Sequence, residues 1–227
     1  MPMEPYKKWK KKRHLRTIPE DIDINTFTAT FLADKKVSEP IKKNIVKTGY
    51  DNTFKIIVFG NSEVGKATFL RNNTKKVISR SKADEEIGIE FYTKSVILAN
   101  NRYQLQIWSF KDIDRFHLFY STYSKGAHAG LLFFDISNLY SLANYEAWVS
   151  LVREEVNNPE SFPILMIGNK LDLKENRQVQ SQQAIRMAKS MDISGYVECS
   201  AMTGENVENI FTIIIQKILG ISHLIAS

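Results

Sequence analysis

The segment Gly60-Asn61-Ser62-Glu63-Val64-Gly65-Lys66 has the residue types and spacing for chemistry on phosphate. Its glycines let backbone N–H groups turn inward around anionic oxygens, and Lys66 adds a point charge. The segment follows an apolar run, Phe54–Phe59, and precedes a helical stretch. A phosphate held there would lie at a helix N-terminus, where the backbone dipole favours negative charge. The eighth position of such loops takes Ser or Thr, whose hydroxyl ligates Mg²⁺, but this chain has Ala67. Thr68 comes next. One step along a helix turns a side chain by about 100°, so Thr68 is expected to point elsewhere. The plainer reading is a glycine-bearing turn around a surface lysine.

A second group, Asn169-Lys170-Leu171-Asp172, follows the apolar run Ile164–Ile167, and Ser200-Ala201-Met202 follows a short strand candidate, Tyr196–Glu198. Leu131–Phe134 is a further apolar run, and helical patterns cover Leu142–Val156, Gln182–Met191 and Val207–Leu219. Short apolar strands alternating with helices predict an α/β fold with a mostly parallel, doubly wound sheet. Two β-rich runs, Glu90–Leu98 and Tyr103–Trp108, are separated by Asn100-Asn101, which suits a hairpin turn. The sheet is therefore expected to hold six strands, five parallel and one antiparallel, with about five helices. Both polar groups then fall at the carboxyl ends of parallel strands, where open α/β sheets bind ligands.

With these segments in view, residues 53–219 resemble the Ras superfamily of small GTPases, and within it the Rab branch. The likeness lies in the phosphate loop, Ile87-Gly88-Ile89-Glu90-Phe91, Leu105-Gln106-Ile107-Trp108, the run Tyr123–Gly130, Asn169–Asp172 and Glu198–Val207. It implies a phosphate-loop GTPase domain over 53–220 that binds GTP or GDP. Phosphate contacts would come from Gly60, Asn61, Ser62, Glu63, Val64, Gly65, Lys66, Ala67 and Thr68. Asp172 would accept from the guanine N1–H and exocyclic amine, Asn169 would meet the other edge, and the stem of Lys170 would cover the face. Ser200, Ala201 and Met202 would form the adjoining loop, with the Ala201 amide donating to the guanine oxygen. Adenine would leave the Asp172 carboxylate unpaired, and sites built on such hydrogen bonds reject analogues by roughly 10⁴-fold. Met202 stands where the family has a lysine, and no aromatic residue between Asn72 and Glu86 is available to pack on the base.

The resemblance also locates what has changed. Glu86 falls at the family's metal-ligating threonine, and Ser109 at the aspartate that holds the metal through water. Asp112 replaces a glycine and Ile113 the glutamine that orients the attacking water. Trp108 before and Arg115-Phe116 after fix this alignment. Phosphoryl transfer rests on charge neutralisation and positioning, and a bound metal contributes several kcal/mol to it. Mg²⁺ is thus expected to be absent or weakly bound, with no catalytic residue and negligible turnover: a pseudo-GTPase working as a subunit of an assembly. The counter-reading makes Glu63 or Glu86 a replacement ligand or base. In that case the chain is a divergent switch in vesicle or intracellular trafficking that hydrolyses GTP to GDP.

Charge is concentrated at one end. The whole chain carries a formal charge of +6, and residues 1–16 hold seven basic side chains against Glu4. Residues 17–227 balance, so a nucleic-acid surface spread over the body is not supported. Residues 1–52 read as an extension with a short helix near Pro40–Lys47. The cluster Lys7-Lys8-Trp9-Lys10-Lys11-Lys12-Arg13 fits a solvated tail. It equally fits an arm that docks on a polyanion: RNA, an acidic protein surface such as a tubulin tail, or anionic lipid. Residues 221–227 contain no cysteine for prenylation, so no prenyl membrane anchor is expected. The single cysteine, Cys199, excludes a disulfide framework and reads as a small core residue. Four scattered histidines show no ligand spacing. The expected setting is intracellular and cytoplasmic, extending to a cytoskeletal, ciliary or other large organellar assembly.

Overall fold

Phe54, Ile56, Ile57, Val58 and Phe59 are all buried, as expected of a strand covered on both faces. That strand, β1 (Asn52–Phe59), lies in the middle of the sheet. It is flanked by β4 (Asn101–Phe110) and β5 (Ala129–Asp135), both parallel to it. Beyond β5 come β6 (Ile164–Asn169) and β7 (Gly195–Glu198), again parallel. On the other side β3 (Ile89–Leu98) runs antiparallel to β4, and β2 (Lys75–Lys76) antiparallel to β3. The computed structural model describes residues 49–77, 89–110 and 123–221. These lie within one unit, Thr48–Ser227.

Among the described residues the sheet has seven strands in the order β2-β3-β4-β1-β5-β6-β7, not the six expected. The extra strand is a two-lysine edge, exposed and without apolar alternation to announce it. The hairpin turn also sits one residue earlier than expected. Ala99 and Asn100, at φ 49° and 62°, form it, and Asn101 pairs with Leu98 as the first residue of β4. Both central positions of such a turn need positive φ, and here an alanine fills one of them.

Among the described residues there are four α-helices: α1 (Lys66–Asn73), α2 (Tyr145–Glu155), α3 (Ser181–Ser190) and α4 (Val207–Ile218). The helix expected from Leu142 begins at Tyr145, because Leu139–Leu142 form a 3₁₀ turn. Its N-cap, Asn138, accepts from the Tyr140 amide. Helix α4 buries Val207, Ile210, Phe211, Ile214 and Ile215, the one-face spacing of an amphipathic helix. Phe211 meets Phe69 of α1 at 5.4 Å between ring centroids, and Phe69 meets Phe133 of β5 at 4.9 Å. This packing fixes α1, and with it the phosphate loop, over the middle of the sheet.

The folded body starts ahead of the expected residue 53. Asp51 donates its amide to the Arg102 carbonyl and accepts from the Arg102 amide through Oδ2. Tyr50 bonds Ser95 through its hydroxyl. The short helix expected near Pro40–Lys47, the basic cluster Lys7–Arg13 and residues 222–227 lie outside the described residues.

Candidate functional site

Every element of the site leaves the same edge of the sheet. The phosphate loop follows β1, Ser109 and Phe110 end β4, Asp135 ends β5, Asn169 ends β6, and Cys199-Ser200-Ala201 follow β7. A cavity of about 440 Å³ lies there. Ser62, Glu63, Gly65, Lys66, Ala67, Thr68, Glu90, Ser109, Phe110 and Lys170 line it.

The loop takes a shape its sequence only partly favours. Gly60 has φ 129°, and a Cβ there would lie 2.3 Å from the Phe133 carbonyl oxygen. Gly65 has φ 91°, and its Cβ would lie 2.3 Å from Asn169 Nδ2. Both positions therefore require glycine. Glu63, by contrast, sits in left-handed backbone at φ 65° and carries a side chain there. Lys66 is buried and donates through Nζ to the Gly60 and Asn61 carbonyls at 2.6 and 2.7 Å. Its ammonium is thus held over the loop beside the cavity. No acidic residue occupies the first turn of α1, so its N-terminal dipole stays unopposed from within the helix.

Asn61 is placed differently from the other loop residues. Its amide nitrogen donates to the Ser141 and Ala143 carbonyls at 3.1 and 2.7 Å, and its oxygen accepts from Trp148 Nε1 at 3.0 Å. The side chain is committed to bracing the loop against the 3₁₀ turn and α2, so only its backbone is available to a phosphate. Val64 is buried in the core. Ala67 and Thr68, both on the first turn of α1, border the cavity.

Asn169 joins the loops. Its side chain is buried, donates through Nδ2 to the Val64 carbonyl at 2.8 Å and accepts at Oδ1 from the Ala201 amide at 3.0 Å. Asp172 accepts from the Ser200 hydroxyl, which also accepts from the Thr203 amide at 3.1 Å. Lys170, at φ 67°, reaches Asp135 with 2.7 Å between Nζ and Oδ2. Ser200 and Ala201 are buried, whereas Met202 is 72% exposed. The structure thus brings together Asn169, Lys170, Asp172, Ser200 and Ala201, and ties them to the phosphate loop through one amide. Glu86, Asp112 and Ile113 lie outside the described residues.

Two further interactions support the β7 end. Burial raises the Glu198 carboxyl, but hydrogen bonds from Arg177, Tyr196 and Ser181 outweigh this and bring it to about 2. Arg177 grips it with two bonds of 2.7 Å. Burial, then the nearby Asp172 charge, push the Cys199 thiol up to about 12, so it remains a protonated core residue.

Glu90 and Phe110 were not among the expected site residues, yet both line the cavity. Glu90 pairs across the strands with Ser109. It accepts from Lys76 Nζ at 3.0 Å and from the Tyr92 hydroxyl at 3.2 Å. The signal for it was the hairpin turn. With the turn at Ala99-Asn100, strand register brings Glu90 opposite Ser109; one residue later it would bring Lys111 there.

A phosphate loop between a central parallel strand and a helix, with a polar recognition loop two strands away, defines a nucleotide-binding α/β domain. The comparisons with known proteins place it more closely. A model of the Ras family matches residues 55–220. The GTP-binding protein ypt3 of Schizosaccharomyces pombe is 32% identical over 76% of this chain and 78% of its own. The Ras-related protein Rab-1 of Theileria parva is 36% identical over 73% and 74%. Rab-11B of Dictyostelium discoideum is 34% identical over 71% and 72%. The chain belongs to the Ras family, and its relatives are Rab-like small GTPases.

Proposed function

We propose that this protein binds guanine nucleotide without using it as fuel, and serves as a fixed interaction subunit rather than a cycling switch. The observation that carries the reading is the cavity wall beside Lys66. Ala67 supplies a methyl group there and Ser109 a hydroxyl, where the family likeness calls for a hydroxyl and a carboxylate. Magnesium demands near-ideal octahedral oxygen coordination. Glu90 is the carboxylate that strand register brings opposite Ser109, and it is already engaged by Lys76 and Tyr92. Among the described residues no three Asp, Glu, His or Cys side chains come together as a metal site. Among the described residues, Ala67 and Ser109 do not supply the oxygen ligands Mg²⁺ would need at these positions, so no step is assigned to it.

What remains suits binding. Lys66 and the α1 N-terminus can hold a pyrophosphate, while the Asp172 carboxylate can read guanine; the Ala201 amide, expected to donate to the base, is bonded to Asn169 instead. Nucleotide held this way stabilises the folded state by mass action. The excess positive charge of residues 1–16 suits attachment to an acidic neighbour and supports the reading of an assembly subunit. Two measurements test the proposal. Chromatography of nucleotide released from purified protein should find guanine nucleotide. Single-turnover assays with [γ-³²P]GTP and Mg²⁺ should find no hydrolysis above buffer, and turnover at the rate of ordinary small GTPases would overturn the reading.

A further inference from the structure

Two sets of bonds meet at Asn61. Its backbone carbonyl accepts from Lys66 Nζ at 2.7 Å, so the residue carries part of the grip on the loop's ammonium. Its side chain does not line the cavity and reaches away, donating to the Ser141 and Ala143 carbonyls and accepting from Trp148 Nε1. The second acceptor for Lys66 Nζ is the Gly60 carbonyl, at 2.6 Å. These two carbonyls belong to the peptide units on either side of the Asn61 Cα. Peptide units are planar, so a side chain held fast on that Cα restricts both planes and the direction in which both oxygens point.

The anchor for that side chain is firm. Trp148 is buried and packs against Phe59, the last residue of β1, at 6.0 Å between ring centroids. Ser141 is buried too. Its hydroxyl donates to the Asn138 carbonyl at 2.6 Å and accepts from the Asp135 amide at 2.9 Å, which pins the 3₁₀ turn to the end of β5. A primary amide suits this place because it offers two N–H donors and an acceptor together. A carboxylate would set lone pairs against two carbonyls, and a methyl group would supply neither kind of bond.

We infer that Asn61 is a positioning residue for phosphate binding: its side chain, braced on the 3₁₀ turn and α2, aims the two carbonyls that hold the Lys66 ammonium beside the cavity. The inference rests on the guanine-nucleotide reading and deepens it, since phosphate affinity then depends on a side chain outside the cleft.

Titration of nucleotide-free full-length protein with GDP by calorimetry, and with guanosine by ligand-observed NMR, separates the two ends of the ligand. Asn61→Ala should weaken GDP about tenfold and leave guanosine within about twofold, because guanosine has no phosphate for Lys66 to meet. Trp148→Phe keeps an aromatic ring, removes one donor, and should weaken GDP about threefold. The double variant should lose no more than Asn61→Ala alone, because both changes cut the same bond. GDP affinity unchanged in Asn61→Ala overturns the inference and spares the functional reading. Equal losses for GDP and guanosine do the same, since they mark a side chain that only supports the fold. If thermal melts show Asn61→Ala unfolded, Trp148→Phe decides by the same two criteria. Failure of the parent to bind GDP, or ATP binding it as tightly as GDP, overturns the inference and the functional reading together.

Discussion

Glu63 offers the sharpest test of how the phosphate loop is built, because one side chain opposes two things at once. Its backbone is left-handed at φ 65°, which costs a residue with a Cβ about 1–2 kcal/mol. Glycine removes that strain but frees the unfolded chain, which returns about 0.5–1 kcal/mol of the gain. Glu63→Gly should therefore stabilise the fold by about 0.5–1 kcal/mol, raising Tm by about 1–4 °C in a body of this size. The carboxylate also lines the cavity and forms no ion pair with any described residue. Removing it should strengthen nucleotide binding by about 1 kcal/mol, roughly fivefold. Thermal melts and titration of a fluorescent GDP analogue in EDTA measure the two effects. Glu63→Ala separates them, since it loses the charge yet keeps a Cβ in left-handed backbone: affinity should rise while Tm does not. A Glu63→Gly protein that melts lower than its parent, or that binds no tighter, would refute the reasoning.

Asn169→Ala should cost about 2–4 kcal/mol in urea denaturation, since it leaves the buried Val64 carbonyl and Ala201 amide without their shared partner. The same variant should lose nucleotide binding. For Glu198, the folded carboxyl titrates near 2 against an ordinary value of 4.5, so its interactions stabilise above pH 4.5 and fade as pH falls toward 2. The stability gap between the parent and Glu198→Gln should accordingly be constant above pH 4.5 and shrink below it; a gap that widens in acid contradicts this sign. Chelation should leave the GDP dissociation rate unchanged in stopped flow, whereas the double variant Ala67→Ser, Ser109→Asp should make it slow down on addition of Mg²⁺. An unmodified protein whose GDP leaves tenfold faster in EDTA would show that a divalent ion is bound after all.

Much of this arrangement could be read from the chain before any fold was seen. The strands of the parallel half are short apolar runs such as Ile164–Ile167, and their burial on both faces is what made them visible. The helix Val207–Ile218 was legible because its buried residues recur at the helical period. The edge strand Lys75–Lys76 was not, since two exposed lysines carry no pattern and pair only because β3 lies beside them. The turn was misplaced by one residue because asparagine tolerates positive φ better than alanine, and tertiary pairing overrode that preference at Ala99. In the site, loop chemistry singled out Gly60–Lys66 and Asn169–Asp172, and the fold brings the two segments together through Asn169. Glu90, Phe110 and the bracing role of Asn61 depend on contacts between residues distant in sequence, 80 or more positions apart for Asn61. No local pattern reports these.

The buried amide at the end of β6 makes the two halves of the cleft a single mechanical object. Asn169 grips the phosphate loop with one atom and the loop after β7 with the other, so a displacement of either loop is felt by its neighbour. Occupancy of the cleft would then spread beyond the contacts a ligand makes, locking together strands β1, β6 and β7 from above.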